Sequence, residues 1–235
     1  NKLAKHPITK GEFIQTKTIK ATNRALKSSG EFIFSLDGIM WKTLKPFPSS
    51  MIVTTKSVIQ VAADGSKTVT TLHDDGTKTK QEYNANGKLT KETFYNAKGK
   101  TTKVISYNDG VIKSESIYNV DIGKVSSTKS YTDGKFTQET FYEYDSNKVK
   151  TKATVKDANG KLKSEIFYNT AGKATKVNSY SAGVFTAETL YEYDANGKKT
   201  KTVKRNYDTS KKLTSKVTTN YNADGSYTQF TYKTS

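Results

Sequence analysis

From residue 73 to the end of the chain, short runs of Thr, Val, Ile, Tyr, Phe and Lys alternate in character, and no apolar period of 3.6 residues is present. That is strand composition. In Lys91-Glu-Thr-Phe-Tyr95, Phe94 and Glu92 fall on one face of a strand while Tyr95, Thr93 and Lys91 fall on the other, so neither face is continuously apolar. Ring-bearing residues recur at intervals of about 12 residues, at Tyr83, Tyr95, Tyr107, Tyr118, Tyr131, Tyr142, Tyr168, Tyr180, Tyr191, Tyr207, Tyr221 and Tyr232, with Val155 taking one beat. Most are followed by a turn such as Asn84-Ala-Asn-Gly87, Asn108-Asp-Gly110, Asp157-Ala-Asn-Gly160 or Asp194-Ala-Asn-Gly197. Asn, Asp and Gly tolerate the positive φ of hairpin loops, which predicts an antiparallel array of strand, turn and strand.

Glutamates recur once per two strands, at Glu92, Glu115, Glu139, Glu165 and Glu188, so the repeating unit is a hairpin of about two dozen residues. KLTKETFYNAKGKTTKVISY (88–107) returns as KLKSEIFYNTAGKATKVNSY (161–180), and KFTQETFYEYDSNKVKTK (135–152) returns as VFTAETLYEYDANGKKTK (184–201). Duplicated hairpins make up this region.

Residues 1–72 are patterned differently. They read as four or five amphipathic strands, with residues 2–8 as the end of a short helix and Lys17, Lys20 and Lys27 flanking a less regular loop. Phe32 and Phe34 share a strand face.

Only 33% of the 235 residues are hydrophobic, against roughly 45–50% in globular domains. A thin sheet or stack of hairpins with a narrow aromatic seam suits that figure, burying surface mainly between neighbours. The net charge is +17, yet Arg24 and Arg205 are the only arginines. Lysine is a solvated point charge and lacks the planar fork that reads phosphate and guanine, so specific nucleic-acid binding is not expected. Weak attraction to polyanions and acidic surfaces is, and lysine on strand edges also keeps a long sheet from pairing with copies of itself. There is no cysteine and no run of about 20 apolar residues, which excludes disulfides, thiolate metal sites and a transmembrane helix. A start at Asn1 in place of methionine leads us to expect an exported, mature product.

Gly11-x-Phe13-x-Gln15-x-Lys17, the Leu26-x-Ser28-Ser29-Gly30-x-Phe32 stretch, Trp41, Pro46-Phe47-Pro48-Ser49 and Ile52-Val53-Thr54 together resemble the LolA family of periplasmic carriers of outer-membrane lipoproteins. The resemblance implies an open, curved antiparallel half-barrel whose concave apolar face, closed by helices, takes lipid acyl chains. It makes Phe13, Phe32, Phe34 and Trp41 candidates for that face; the same four could equally be ordinary core of a curved sheet. The family's lid helices have no counterpart here, because the chain passes at Ala63-Asp-Gly-Ser66 and Asp74-Asp-Gly76 into polar hairpins. Residues 73–235 look like the YD (Rhs-type) and YwqK/MORN-like repeats of bacterial surface proteins, on motifs such as Tyr-Asp-Ala-Asn-Gly-Lys (193–198). Those families use such repeats as shells, spacers and interaction surfaces. The expected fold is all-β: a LolA-like curved antiparallel sheet over 1–72 continuing into a long meander of hairpins over 73–235.

No catalytic constellation stands out. Asp157-x-Asn and Asp194-x-Asn196 invite a calcium-loop reading, but the bidentate carboxylate such a loop needs eleven residues on is Tyr168 or Arg205. The glutamates have lysine neighbours, which makes cross-strand ion pairs the simpler account than glycoside chemistry. His6 and His73 sit in unrelated contexts. No cofactor or metal is called for. Two functions follow: an exported, non-enzymatic binding protein for an apolar ligand or lipoprotein acyl chain, in the periplasm or at the bacterial surface, or a secreted repeat scaffold or adhesin.

Overall fold

The structure is a computed structural model, and residues 8–19, 21 and 24–234 are described. They contain nineteen strands and no helix. The chain folds as two units, Asn1–Lys113 and Ser114–Ser235. The first holds β1 (Ile8–Ile19), β2 (Arg24–Ser35), β3 (Gly38–Lys45), β4 (Ser49–Thr54), β5 (Ser57–Val61), β6 (Lys67–Leu72), β7 (Lys78–Tyr83), β8 (Leu89–Tyr95) and β9 (Thr101–Asn108). The second begins within β10 (Val111–Asn119). It continues through β11 (Lys124–Thr132), β12 (Lys135–Tyr144), β13 (Lys150–Asp157), β14 (Leu162–Tyr168), β15 (Ala174–Ser181), β16 (Val184–Tyr193), β17 (Lys199–Tyr207), β18 (Leu213–Tyr221) and β19 (Tyr227–Lys233).

Within each unit every strand is antiparallel to the next, so the all-β hairpin meander is the fold. The change of sequence character near residue 72 leaves the ladder unbroken, since β6 pairs with β7 from Lys67↔Tyr83 to Leu72↔Lys78. One local expectation is corrected. β1 and β2 pair residue for residue from Ile8↔Ser35 to Ile19↔Arg24, so Lys17 and Lys27 lie within strands, opposite Leu26 and Thr16. Ile8 opens β1; the rest of the expected helix end, and Lys20, lie outside the described residues.

The turns work as their residues dictate. At 84–88 the Asn84 amide donates to the Lys88 carbonyl and the Gly87 amide to the Asn84 carbonyl, both at 2.9 Å. The Asn84 side-chain oxygen accepts from the amides of Asn86 and Lys88, and Gly87 takes a φ of 75° that suits glycine. Asp157 and Asp194, which resembled calcium ligands, each accept a turn amide, from Lys161 and Lys198 at 2.8 Å. Where the loop is two residues long, as at Asp133-Gly134, both take positive φ, 50° and 75°.

A β-bulge sits at the aromatic beat of hairpin after hairpin. Pairing jumps at Glu82/Tyr83, Phe94/Tyr95, Phe167/Tyr168, Ser179/Tyr180 and Asn206/Tyr207. In the Tyr-Glu-Tyr strands the jump falls at the second tyrosine, Tyr144 or Tyr193, rather than at the Tyr142 and Tyr191 of the sequence rhythm. The residue skipped on the partner strand is usually Thr. The hydroxyls of Thr90, Thr102, Thr175, Thr186 and Thr214 donate to the carbonyls of Glu82, Phe94, Phe167, Ser179 and Asn206, satisfying acceptors where the ladder is disrupted.

Little is buried. Ala153, Ala187 and Val203 are the buried hydrophobic residues among those described, and no large side chain is fully enclosed. The accessible surface is 15625 Å² for 26.1 kDa. Two compact globular domains of half that mass would together expose about 12,700 Å². Stability therefore comes from strand-to-strand contacts and half-buried side chains.

Candidate functional site

The four aromatics singled out in the sequence come together on one face of β1–β3. The register sets Gly11 opposite Phe32 and Phe13 opposite Gly30 on β1–β2, and Phe32 opposite Trp41 on β2–β3. Phe13 stacks on Trp41 with ring centroids 4.0 Å apart, Phe32 lies 6.1 Å from Trp41, and Phe34 meets Phe32 edge-on at 5.1 Å. Two glycines make room for this. A Cβ on Gly11 would stand 2.5 Å from Phe32 Cζ, and one on Gly30 would stand 2.8 Å from Phe13 Cε1 and closer still to the Lys42 carbonyl oxygen. Each ring thus covers a backbone position that lacks a side chain.

The strip extends beyond the four candidate rings. Ile39, opposite Phe34, faces Val53, which faces Val58, and Met51 lies opposite Trp41. Strand alternation puts Met51 and Val53 on one face of β4, and the unshifted β3–β4 register seats them beside Trp41 and Ile39. The cluster is half-buried, no other described strand of its unit packs over it, and Ile39 is 37% exposed. Lys17 shares the face of Phe13 on β1, four residues further along, about 14 Å at strand rise. The surface is amphipathic: an aromatic strip with a cation beyond one end. The reverse face carries an apolar row in register, Ile33, Met40, Ile52, Ile59 and Val69; Ile14, four positions along β1 from the partner of Ile33, is 75% exposed.

Three of the five hairpin glutamates, Glu92, Glu165 and Glu188, are committed to structure. Glu165 accepts from Lys152 Nζ at 2.7 Å, Tyr180 Oη at 2.6 Å and Asn178 Nδ2 at 3.3 Å. Led by the Lys152 bond, these hold its carboxyl down at about 2, against the opposing effect of burial. Glu188 accepts from Arg205 at 2.6 Å and from Tyr207 at 3.2 Å, with Lys176 at 3.2 Å. Burial works against ionisation there, yet the Arg205 and Lys176 bonds keep its carboxyl below the ordinary range. Glu92 is served by neutral donors instead, Gln81 at 2.9 Å and the Tyr107 hydroxyl. The tyrosine donors were not anticipated from the sequence.

The lysines were also underestimated. Lys150 lies over both Tyr142 and Tyr168, at 5.7 and 4.0 Å, and Lys199 over both Tyr191 and Tyr221, at 5.8 and 4.8 Å. A groove of about 480 Å³ lies beside Tyr191 and Tyr193, but several of its polar groups are engaged. Tyr193 donates to the Ala174 carbonyl at 2.7 Å, Glu192 pairs with Lys201 at 3.2 Å, and Asp194 caps its own turn. Among the described residues no group of three or more His, Cys, Asp or Glu could hold a metal ion, and no helix is long and apolar enough to cross a membrane.

No protein-family model matches the chain, and no curated protein does. Several solved structures align with it at low similarity. A porin-like protein from Bacteroides uniformis aligns over 96% of this chain and 95% of its own at 12% identity and a TM-score of 0.24. A TcdB2-TccC3-Cdc42 complex aligns over 91% of this chain and 15% of its own at 12% identity and 0.21. A GtfA/B complex bound to UDP and GlcNAc aligns over 45% and 22% at 13% identity and 0.20. This chain thus spans under a quarter of the length of the latter two, and at such scores nothing about its activity follows from any of the three.

Proposed function

We propose that β1–β5 bind an extended apolar ligand, an acyl chain with an anionic head or the acyl group of a lipoprotein, and that the protein is a non-enzymatic carrier or receptor of the periplasm or bacterial surface. The observation that carries this is the Phe13–Trp41–Phe32–Phe34 stack, gathered on one face of β1–β3 with Lys17 beyond its end. An acyl chain laid along the strip covers aromatic surface, and the lysine attracts the head. Trp41 is the sole tryptophan, so its emission reports occupancy directly. Titration with a fatty acid shifts that emission, and Trp41→Ala or Phe34→Asp weakens binding by about 1–3 kcal/mol, the scale of a lost apolar contact. An unchanged spectrum, together with no lipid retained in native mass spectrometry at tens of micromolar ligand, removes the carrier reading.

A second reading, a repeat scaffold or adhesin, is favoured by the way duplicated contacts recur. Tyr144 bonds the Val125 carbonyl as Tyr193, 49 residues on, bonds that of Ala174. Glu92 and Tyr107 recur 73 residues on as Glu165 and Tyr180. Such an array spreads weak polyanion binding over equivalent lysines, so it is salt-sensitive and insensitive to any one Lys→Ala change.

A further inference from the structure

The groove of about 480 Å³ belongs wholly to the second unit, beside the turns at 169–173 and 194–198 and the strands β15 and β16, each paired on both sides. Its size falls within the roughly 300–1,000 Å³ of ligand clefts. Both turns line it, and each is capped by a residue that uses only one end of its side chain. The Asn169 oxygen accepts from the Lys173 amide at 2.9 Å, which leaves Nδ2 as a donor. One Asp194 oxygen accepts from the Lys198 amide at 2.8 Å, and the other has no partner among the described residues. Tyr193, fixed by its bond to the Ala174 carbonyl, forms a wall. Tyr191, two residues earlier on β16, has no hydrogen-bond partner for its hydroxyl among the described residues.

The cation of the groove is Lys173. It makes no ion pair among the described residues, lies over the Tyr193 ring at 5.5 Å, and is half-buried. Gly197 makes this placement possible, since a Cβ there would stand 2.6 Å from Lys173 Cε and 3.0 Å from its Nζ. The duplicate hairpin 49 residues earlier shows the alternative. It carries Lys148 where the groove has Gly197, and Lys124, the counterpart of Lys173, is exposed. One scaffold thus holds its lysine in a groove in one copy and out in solvent in the other.

We infer that this groove binds one acidic pyranose residue of a glycan, a uronate, with its ring against Tyr191, two neighbouring hydroxyls between Asn169 and Asp194, and its carboxylate on Lys173. A hydroxyl both donates and accepts, so an adjacent pair satisfies an amide donor on one side and a carboxylate acceptor on the other. The C–H face of a pyranose covers a tyrosine ring while the hydroxyls at its rim stay with polar groups. The charge-assisted bond to the ammonium selects the acidic sugar over a neutral one. Glu192, the other carboxylate of the groove, is paired with Lys201 at 3.2 Å and does not oppose it. An acyl chain would leave the polar ends without partners, and a small bare anion would leave the ring uncovered.

The test is a ligand-observed NMR titration in about 0.5 M salt, where diffuse attraction to scattered lysines is screened. A glucuronate-containing tetrasaccharide binds with a Kd of about 1 mM or tighter, and cellotetraose, neutral and of the same length, at least about tenfold more weakly. Gly197→Lys installs the residue that the earlier copy carries at the same turn position, so the hairpin accommodates it. It displaces Lys173 and weakens the acidic sugar by about tenfold or more, with an unchanged circular dichroism spectrum. Lys173→Gln brings the two sugars to equal affinity, and Tyr191→Ala weakens both. Absence of binding, equal affinity of the unaltered chain for the two sugars, or undiminished binding by Gly197→Lys and Lys173→Gln overturns the inference. So does binding seen at about 0.1 M salt and lost at about 0.5 M, which is the diffuse polyanion attraction of the scaffold reading.

Discussion

β1–β6 and the hairpins from β7 onward show two ways of stabilising strands that bury little. The first set uses large apolar side chains on both faces, aromatic on one and aliphatic on the other, and the pairs from β3–β4 to β6–β7 run without a register shift. The hairpins use tyrosine, lysine and glutamate, and bulge where a tyrosine meets the turn. Apolar rings shield themselves by stacking, which demands close fit between strands. Tyrosines under lysines shield themselves with the neighbour's side chain, which tolerates variation. The aromatic sheet should therefore be brittle to changes of volume and the hairpin array brittle to changes of charge.

The largest effect is expected where fit is tightest. Gly30→Val drives a side chain into the Lys42 backbone and the Phe13 ring, and should cost at least about 3 kcal/mol. Gly87→Ala, in a turn with open space around it and a φ of 75°, should cost only about 1 kcal/mol. Denaturant titration followed by Trp41 emission for the first and by circular dichroism for the second checks both; equal costs would dissolve the contrast.

The charge side is tested by pH. Glu165 is held at about 2 in the folded chain, well below an ordinary carboxyl of 4.5. A depressed value means that the stabilisation is complete above about pH 5 and is lost as pH falls through 4.5 toward 2. Its side chain and that of Lys152 are only 18% and 24% exposed, so the loss should approach about 2–3 kcal/mol. Glu165→Gln should flatten the stability profile over that window in urea titrations read by circular dichroism. An unchanged slope would mean that Glu165 is an ornament of the sheet.

The smallest effect runs the other way. Lys148 takes a φ of 62° at the turn position where the duplicate copy has Gly197. Lys148→Gly should raise stability by about 0.5–1 kcal/mol, by removing left-handed strain that a side chain opposes, visible as a higher urea midpoint.

Much of the architecture could be read in advance because strand and turn signals are local. Tyr95 followed by Asn96-Ala-Lys-Gly99 says strand, then turn, wherever it occurs. The gathering of Phe13 beside Trp41 is not local: it depends on residue-for-residue pairing of β1 with β2, and on β3 entering with Trp41 opposite Phe32. The LolA resemblance selected those residues without specifying their stacking. The threonines at the bulges went unread because a hydroxyl seven or eight residues from its acceptor leaves no period of its own. Lysine over tyrosine was missed for another reason: composition counts charges but not what lies beneath them.

The duplicated hairpins also bear on how the chain finds its register. Residues 88–107 and 161–180 are close enough in sequence to accept each other's partners, 73 residues apart. Closing a loop of that length in place of a five-residue turn costs about 2.4 kcal/mol more in chain entropy, a factor of about 50 in favour of the neighbour. Each hairpin therefore meets its own half first. A bulge with a threonine bonded to the facing carbonyl then marks one alignment, because sliding the strand by a residue would strand that hydroxyl and turn the tyrosine to the opposite face. An array of near-identical strands, prone to misassembly by copying errors among its own parts, carries its proofreading mark in every hairpin that has such a bulge.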